Sequence, residues 1–138
     1  MKKIEREKII AKIQEYVSQN AAKIAALYIF GSFTKNETVV NDIDILLLPA
    51  KDVDQEELYA CVLKDLKQLV TDFKIDLLLF NLKEVDPRIL HQAITEGIAF
   101  VNDKDYLGSK IDELSFILRQ REYLYRQTKK YLMELLNA

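Results

Sequence analysis

An α/β (α+β) fold, with a small mixed sheet of about four strands flanked by helices and a long C-terminal helix, is what this sequence predicts. Three observations carry that expectation. Short apolar runs of strand length alternate with longer segments whose apolar residues recur at helical spacing. Only three Gly and two Pro interrupt 138 residues, so the connections between elements are short. From about Ser109 to Leu136 the helical pattern runs on without a break.

Taken in order, Ile4 to Gln19 is the first helix, with Ile9, Ile10, Ile13 and Val17 at helical spacing and Ser18 to Asn20 as the polar stop. Ala25 to Phe30 is a buried strand ended by Gly31, and Ser32 can begin a short helix. Asn36 to Asn41 connects to a second strand, Ile43 to Leu48, which Pro49 closes. Asp52 or Asp54 caps a helix running to about Val70 with a stripe of Leu58, Val62, Leu66 and Leu69. Lys74 to Phe80 is the third strand. Asp86-Pro87 reads as an N-cap and first-turn proline of a helix that ends at Glu96 before Gly97, and Ile98 to Val101 is the fourth strand. The long helix places Ile111, Leu114, Leu118, Tyr125, Leu132 and Leu135 on one seam, with Phe116, Ile117, Leu124 and Tyr131 on other faces. That is more apolar surface than one small sheet covers, and intramolecular packing, a homodimer seam or a protein partner would use it.

The length and the 49% apolar composition fit one domain, 1–138, with a real core. Twenty Lys and Arg against 22 Asp and Glu leave no basic surplus for the backbone of extended nucleic acid. The one cysteine, Cys61, has no partner for a disulfide or zinc site and is expected as a buried thiol. The N-terminal residues lack the apolar run of a signal peptide and nothing approaches a membrane span, so a soluble, cytoplasmic protein is expected.

Chemistry is concentrated at three places: Gly31-Ser32 after the first strand, Asp42-Ile43-Asp44 at the start of the second, and Asp76 in the third. Residues two apart on a strand share a face, so Asp42 and Asp44 project together while Ile43 enters the opposite layer. If the third strand pairs beside the second, Asp76 joins them, and the echo of Ile43-Asp44-Ile45-Leu46-Leu47 in Ile75-Asp76-Leu77-Leu78-Leu79 suggests equivalent positions. Taken alone, Gly31-Ser32 is a strand-to-helix turn, Asp42 a loop cap and Asp76 an edge carboxylate. Asp44, set inside an apolar strand, is expensive unless paired or metal-bound. Three carboxylates on one face call for a hard divalent cation; Mg²⁺ takes oxygen ligands from carboxylates and substrate phosphates, and two such ions about 3.5–4 Å apart serve phosphoryl-type transfer. Glycine lets backbone amides approach a phosphate, the Ser32 hydroxyl can donate, and Lys35 can add charge to the outer phosphates.

Tyr28-Ile29-Phe30-Gly31-Ser32, nine residues, then Asp42-Ile43-Asp44, with Asp76 in a later strand, resembles the signature of the DNA polymerase beta-like nucleotidyltransferase superfamily, and within it the minimal nucleotidyltransferases. The resemblance covers roughly residues 1–102, leaving 106–138 as a helical extension. It implies that Asp42, Asp44 and Asp76 are catalytic and bind two Mg²⁺ ions, and that Gly31 and Ser32 hold the triphosphate of ATP. The loop after Ser32 departs from the antitoxin members, being one residue shorter, with Phe33, Asn36 and Asn41 where Arg, Gly and Ser are common; Lys35 therefore rests on its position alone. The resemblance further implies an antitoxin that transfers AMP from ATP to a tyrosine of a cognate HEPN-domain RNase toxin. Two other readings keep the same residues: a small-molecule, aminoglycoside-type nucleotidyltransferase, and an antitoxin acting by binding alone. Tyr123, Tyr125 and Tyr131 read as packing residues before acceptors in cis, and the lone His91 as a surface or cap residue.

Overall fold

The computed structural model describes residues 3–35 and 40–137; Asn36, expected in the polar connection, lies outside them. Among the described residues a four-stranded sheet runs in the order β3-β2-β1-β4, from β1 (Ile24–Phe30), β2 (Asp42–Pro49), β3 (Lys74–Leu79) and β4 (Ile98–Val101). β1 is antiparallel to β2 and to β4, whereas β2 and β3 are parallel, so the sheet is mixed. The parallel pair requires a crossover, which α2 (Gln55–Leu69) supplies. Asp54, not Asp52, is the α2 cap: its Oδ1 accepts from the Glu57 amide at 3.0 Å, while Asp52 takes a left-handed φ of 70° in the preceding turn.

Both sheet faces are covered. On one side α1 (Lys3–Gln19) and α2 lay Ile13, Val17, Val62 and Leu66 against Leu27, Ile29, Ile43, Ile45 and Leu47. On the other, α3 (Pro87–Glu96) and the start of α4 (Lys104–Leu136) lay Leu90, Ala93, Leu107 and Leu114 against Tyr28, Leu46, Leu48 and Phe80. Burying one such aliphatic side chain contributes roughly 1.5–3 kcal/mol, so each layer is held by many comparable terms. Asn102, just past β4, ties the layers together: its Nδ2 donates to the carbonyls of Val17 and Ile24, at 3.0 and 2.9 Å. Gly97 is the close approach of α3 to the sheet, since a Cβ there would lie 2.9 Å from the Ile29 carbonyl oxygen.

Two expectations need correcting. Cys61 is exposed, its Sγ 3.8 Å from an Asp65 carboxylate oxygen. The buried stripe of α2 is Leu58, Val62 and Leu66, and at 100° per residue Cys61 falls about a quarter-turn or more from the centre of that stripe. The long helix starts at Lys104 instead of Ser109, because Asp103 caps it by accepting from the Tyr106 amide at 3.0 Å and Gly108 passes inside the helix with open space around it. Only Leu107 and Leu114 of α4 are buried; Ile111 and Leu118 are partly covered. Beyond them Tyr123, Leu124, Tyr125, Tyr131, Leu132, Met133, Leu135 and Leu136 are all exposed. No helix among the described residues is long and apolar enough to cross a membrane.

Candidate active site

Parallel register places Asp44 opposite Asp76, and antiparallel register places it opposite Phe30, so one row across three strands reads Phe30, Asp44, Asp76. Asp42 precedes Asp44 by two residues and shares its face. The three carboxylates therefore stand on the α3 side of the sheet, just beyond Leu46 and Leu78, where the apolar covering ends. Asp44 feels both neighbours: burial first, then the charges of Asp76 and Asp42 and a hydrogen bond shared with Asp76, all push its carboxyl pKa upward. Lys74 stands 3.8 Å from Asp76 and offsets part of this negative charge from an exposed position.

The glycine turn meets this row directly. Gly31 has a φ of +76°, a conformation glycine adopts without steric cost. A Cβ built there would lie 2.1 Å from the Asp44 Oδ2 atom, so the carboxylate occupies the space that any other side chain would claim. The residues that follow form a 3₁₀ turn, Gly31–Thr34, held from inside by the Thr34 hydroxyl donating to the Gly31 carbonyl at 2.8 Å. It is also held from behind. Phe33 is fully buried in the α1–α2 layer, and the Arg6 guanidinium of α1 donates to the Phe33 carbonyl and lies 5.3 Å over its ring. Ser32 is thus carried on an anchored turn beside the carboxylates, whereas Lys35 is exposed at its end.

As they stand, no three acidic, histidine or cysteine side chains among the described residues are placed so that together they could hold an ion. The donor chemistry nevertheless fits Mg²⁺: hard carboxylate oxygens, clustered enough to raise one pKa, open on one side. Mg²⁺ is ordinarily held by one or two carboxylates together with substrate phosphates and waters, so a partly built set is what a nucleotide would complete. Beside the row an open cleft of ≈ 510 Å³ curls around the free edge of β3, bounded by Phe30, Leu78 and Ile89 on one side and Leu63 and Lys67 of α2 on the other.

Sequence reasoning missed Arg6, Leu63, Lys67 and Ile89. Thr34 carried a local signal, a hydroxyl three residues after a turn carbonyl. The others come from helices distant in the chain and carry none. His91 is exposed on α3 as expected, away from the carboxylates.

No curated protein sequence matches the chain. Solved structures of the same fold include a chain from the complex of tri-AMPylated Shewanella oneidensis HEPN toxin with MNT antitoxin, 19% identical with a TM-score of 0.61 over 93% of this chain and 98% of that one. Another comes from a toxin–antitoxin with AMP-PNP, 19% identical with a TM-score of 0.59 over 89% and 97% of the two chains. A third is from the toxin–antitoxin MntA–HepT, at 19% identity and a TM-score of 0.52 over 92% and 98%. Across residues 11–106 the sequence fits the family model described as polymerase beta, nucleotidyltransferase, and the chain belongs to that family.

Proposed function

We propose that this nucleotidyltransferase uses Mg²⁺ and ATP to move AMP onto a tyrosine hydroxyl of a HEPN-domain toxin, and so acts as the antitoxin of that pair. The observation that carries the chemistry is the contact of Gly31 with Asp44, which sets a backbone able to approach phosphate against a carboxylate able to hold a cation. The choice of partner is supported by the likeness in fold to chains from MNT–HEPN complexes, one with an AMPylated toxin and one with AMP-PNP.

In this reading Asp42, Asp44 and Asp76 hold the metal, which when bound neutralises phosphate charge and favours ionisation of the attacking hydroxyl. The amides at Gly31 and Ser32 and the Ser32 hydroxyl bind the triphosphate, with Lys35 adding charge at its outer end. The tyrosine oxygen forms a bond to the α-phosphorus as the bond to the oxygen bridging the β-phosphate breaks, and pyrophosphate leaves with that electron pair. The phenolic proton passes to a carboxylate of the cluster, and Asp76, the most exposed of the three, can return it to water. A phenol, with a pKa of about 10, gives up this proton more readily than an aliphatic alcohol.

Intact mass of a co-expressed HEPN partner, before and after ATP and Mg²⁺, tests the proposal. The expected result is one or more added AMP masses, lost in Asp42→Ala and Asp44→Ala proteins. An unmodified toxin with AMP found on an aminoglycoside would replace the protein acceptor by a small molecule. A toxin silenced without any mass change would leave binding alone.

A further inference from the structure

We propose that the outer half of α4 pairs antiparallel with the same half of a second copy of this chain, making a homodimer whose interface stands apart from the carboxylate site. Leu118, Arg121, Tyr125, Thr128, Leu132 and Leu135 recur at steps of three and four, the spacing that keeps one seam of a helix turned toward another helix. The same seam begins with Ile111 and Leu114, which pack on the body, but from Arg119 to Asn137 every residue of α4 and its cap is exposed. One flank of the seam is Ile117, Leu124 and Tyr131; the other is Glu122, Lys129 and Leu136.

The flanks decide the occupant and its direction. A two-fold axis across two antiparallel helices sets each flank against its own kind. With Tyr125 level with Thr128 of the second copy, Leu118 meets Leu135 and Arg121 meets Leu132, so no layer of the seam stacks like charges. On one flank Leu124 then lies beside Tyr131 of the second copy. On the other, Glu122 lies beside Lys129 of the second copy, and symmetry makes that pair twice. A parallel pair would stack Arg121 on Arg121, set the apolar flank against Glu122 and Lys129, and bring both bodies to the same end. Within its own helix Glu122 uses Oε1 to hold Arg126.

Area and length agree with this pairing. Leu124, Tyr125, Tyr131, Leu132, Leu135 and Leu136 are each more than half exposed. Together they offer roughly 700 Å² per copy, close to the about 800 Å² per partner of a stable interface. From Arg119 to Leu136 the helix runs about 27 Å, so the second helix ends where the first body begins. There a cleft of ≈ 510 Å³ opens between α3 and α4, lined by Leu118, Arg121, Glu122 and Tyr125 and by Arg88 and His91 of α3. It receives the end of the second helix, whose last carbonyls carry partial negative charge toward Arg88, a side chain that also pairs with Asp86.

Sedimentation equilibrium of the purified full chain at micromolar concentration tests this without substrate. The expected mass is twice the 16.1 kDa of one chain. Glu122→Lys and Lys129→Glu should each weaken the dimer about tenfold, and the double reversal should restore it, with helix content by circular dichroism unchanged. Arg126→Gln, which removes only the pair within the helix, should leave dissociation near the parent value and so separates local helix strength from contact across the axis. A monomer overturns the proposal. So does a dimer indifferent to both single reversals, which would seat the second copy elsewhere or in parallel, and so does a double reversal that fails to recover. Neither Glu122 nor Lys129 belongs to the carboxylate site, so none of these outcomes bears on AMP transfer.

Discussion

On one face of β2 stand Ile43, Ile45 and Leu47, all fully buried against α1 and α2; on the other, one residue out of step, stand Asp42, Asp44, Leu46 and Leu48. The backbone, register and neighbours are common to both. The first face is uniform and interchangeable with any well-packed apolar layer, whereas the second changes from leucine to aspartate where α3 ceases to cover it. Asp44 stands with its charge raised in cost by burial and by two other carboxylates, on the same strand that supplies much of the core. Stability and chemistry are thus separated by side-chain alternation alone, and substitutions on the two faces should fail in different ways.

The largest effect is expected from Asp44→Ala, which should lower nucleotidyl transfer by about three orders of magnitude or more, measured by labelled AMP incorporation, with the chain still folded. Leu47→Ala, one face away, should do the reverse: about 2–5 kcal/mol lost in denaturant unfolding at 25 °C, with turnover per folded molecule nearly intact. Gly31→Ala straddles the two. A non-glycine residue at positive φ costs about 1–2 kcal/mol, and its methyl group would force the Asp44 carboxylate aside, so both the midpoint and ATP affinity should fall. A variant with unchanged ATP affinity would break the link drawn between the turn and the row.

The smallest effect concerns pH. Because the folded-state pKa of Asp44 is raised, the stability it contributes is fully present below its unfolded value of about 3.9 and is lost as pH rises through the folded value. Asp44→Asn removes that loss. Its melting temperature should therefore exceed that of the parent at pH 7, and the difference should vanish near pH 3.5. A difference that grows as the solution is acidified would show that the carboxylate is stabilised, not burdened, by its surroundings.

Much of this comparison is legible in the sequence. The matching Ile-Asp-Leu strings place Asp44 and Asp76 at equivalent positions, and parallel pairing brings them face to face with no shift. The cap at Asp86 is local chemistry and reads directly, and that of α2 narrows to Asp52 or Asp54, since a cap accepts from an amide two or three residues on and only the backbone turn at Asp52 decides between them. What failed was packing at the margins of a pattern. Cys61 sits at the rim of an apolar stripe, where one-dimensional spacing does not say which flank is covered. Gly108 looks like punctuation yet continues a helix capped five residues earlier at Asp103. The hold of Arg6 on the Phe33 turn joins residues 27 apart, and nothing in the sequence near either one announces it.

The exposed half of α4 has a consequence for how long a lone copy of this protein survives. At 33 residues the helix is about 50 Å long, and its far portion carries Arg119, Arg121, Arg126, Lys129 and Lys130 among side chains that make no core contact. Such a segment opens locally at little cost, which is what a protease needs in order to thread a backbone into its cleft. Trypsin should nick the isolated chain first between Arg119 and Lys130, leaving a fragment that retains the sheet. A cover over this half of the helix would raise the cost of that opening and slow the cut.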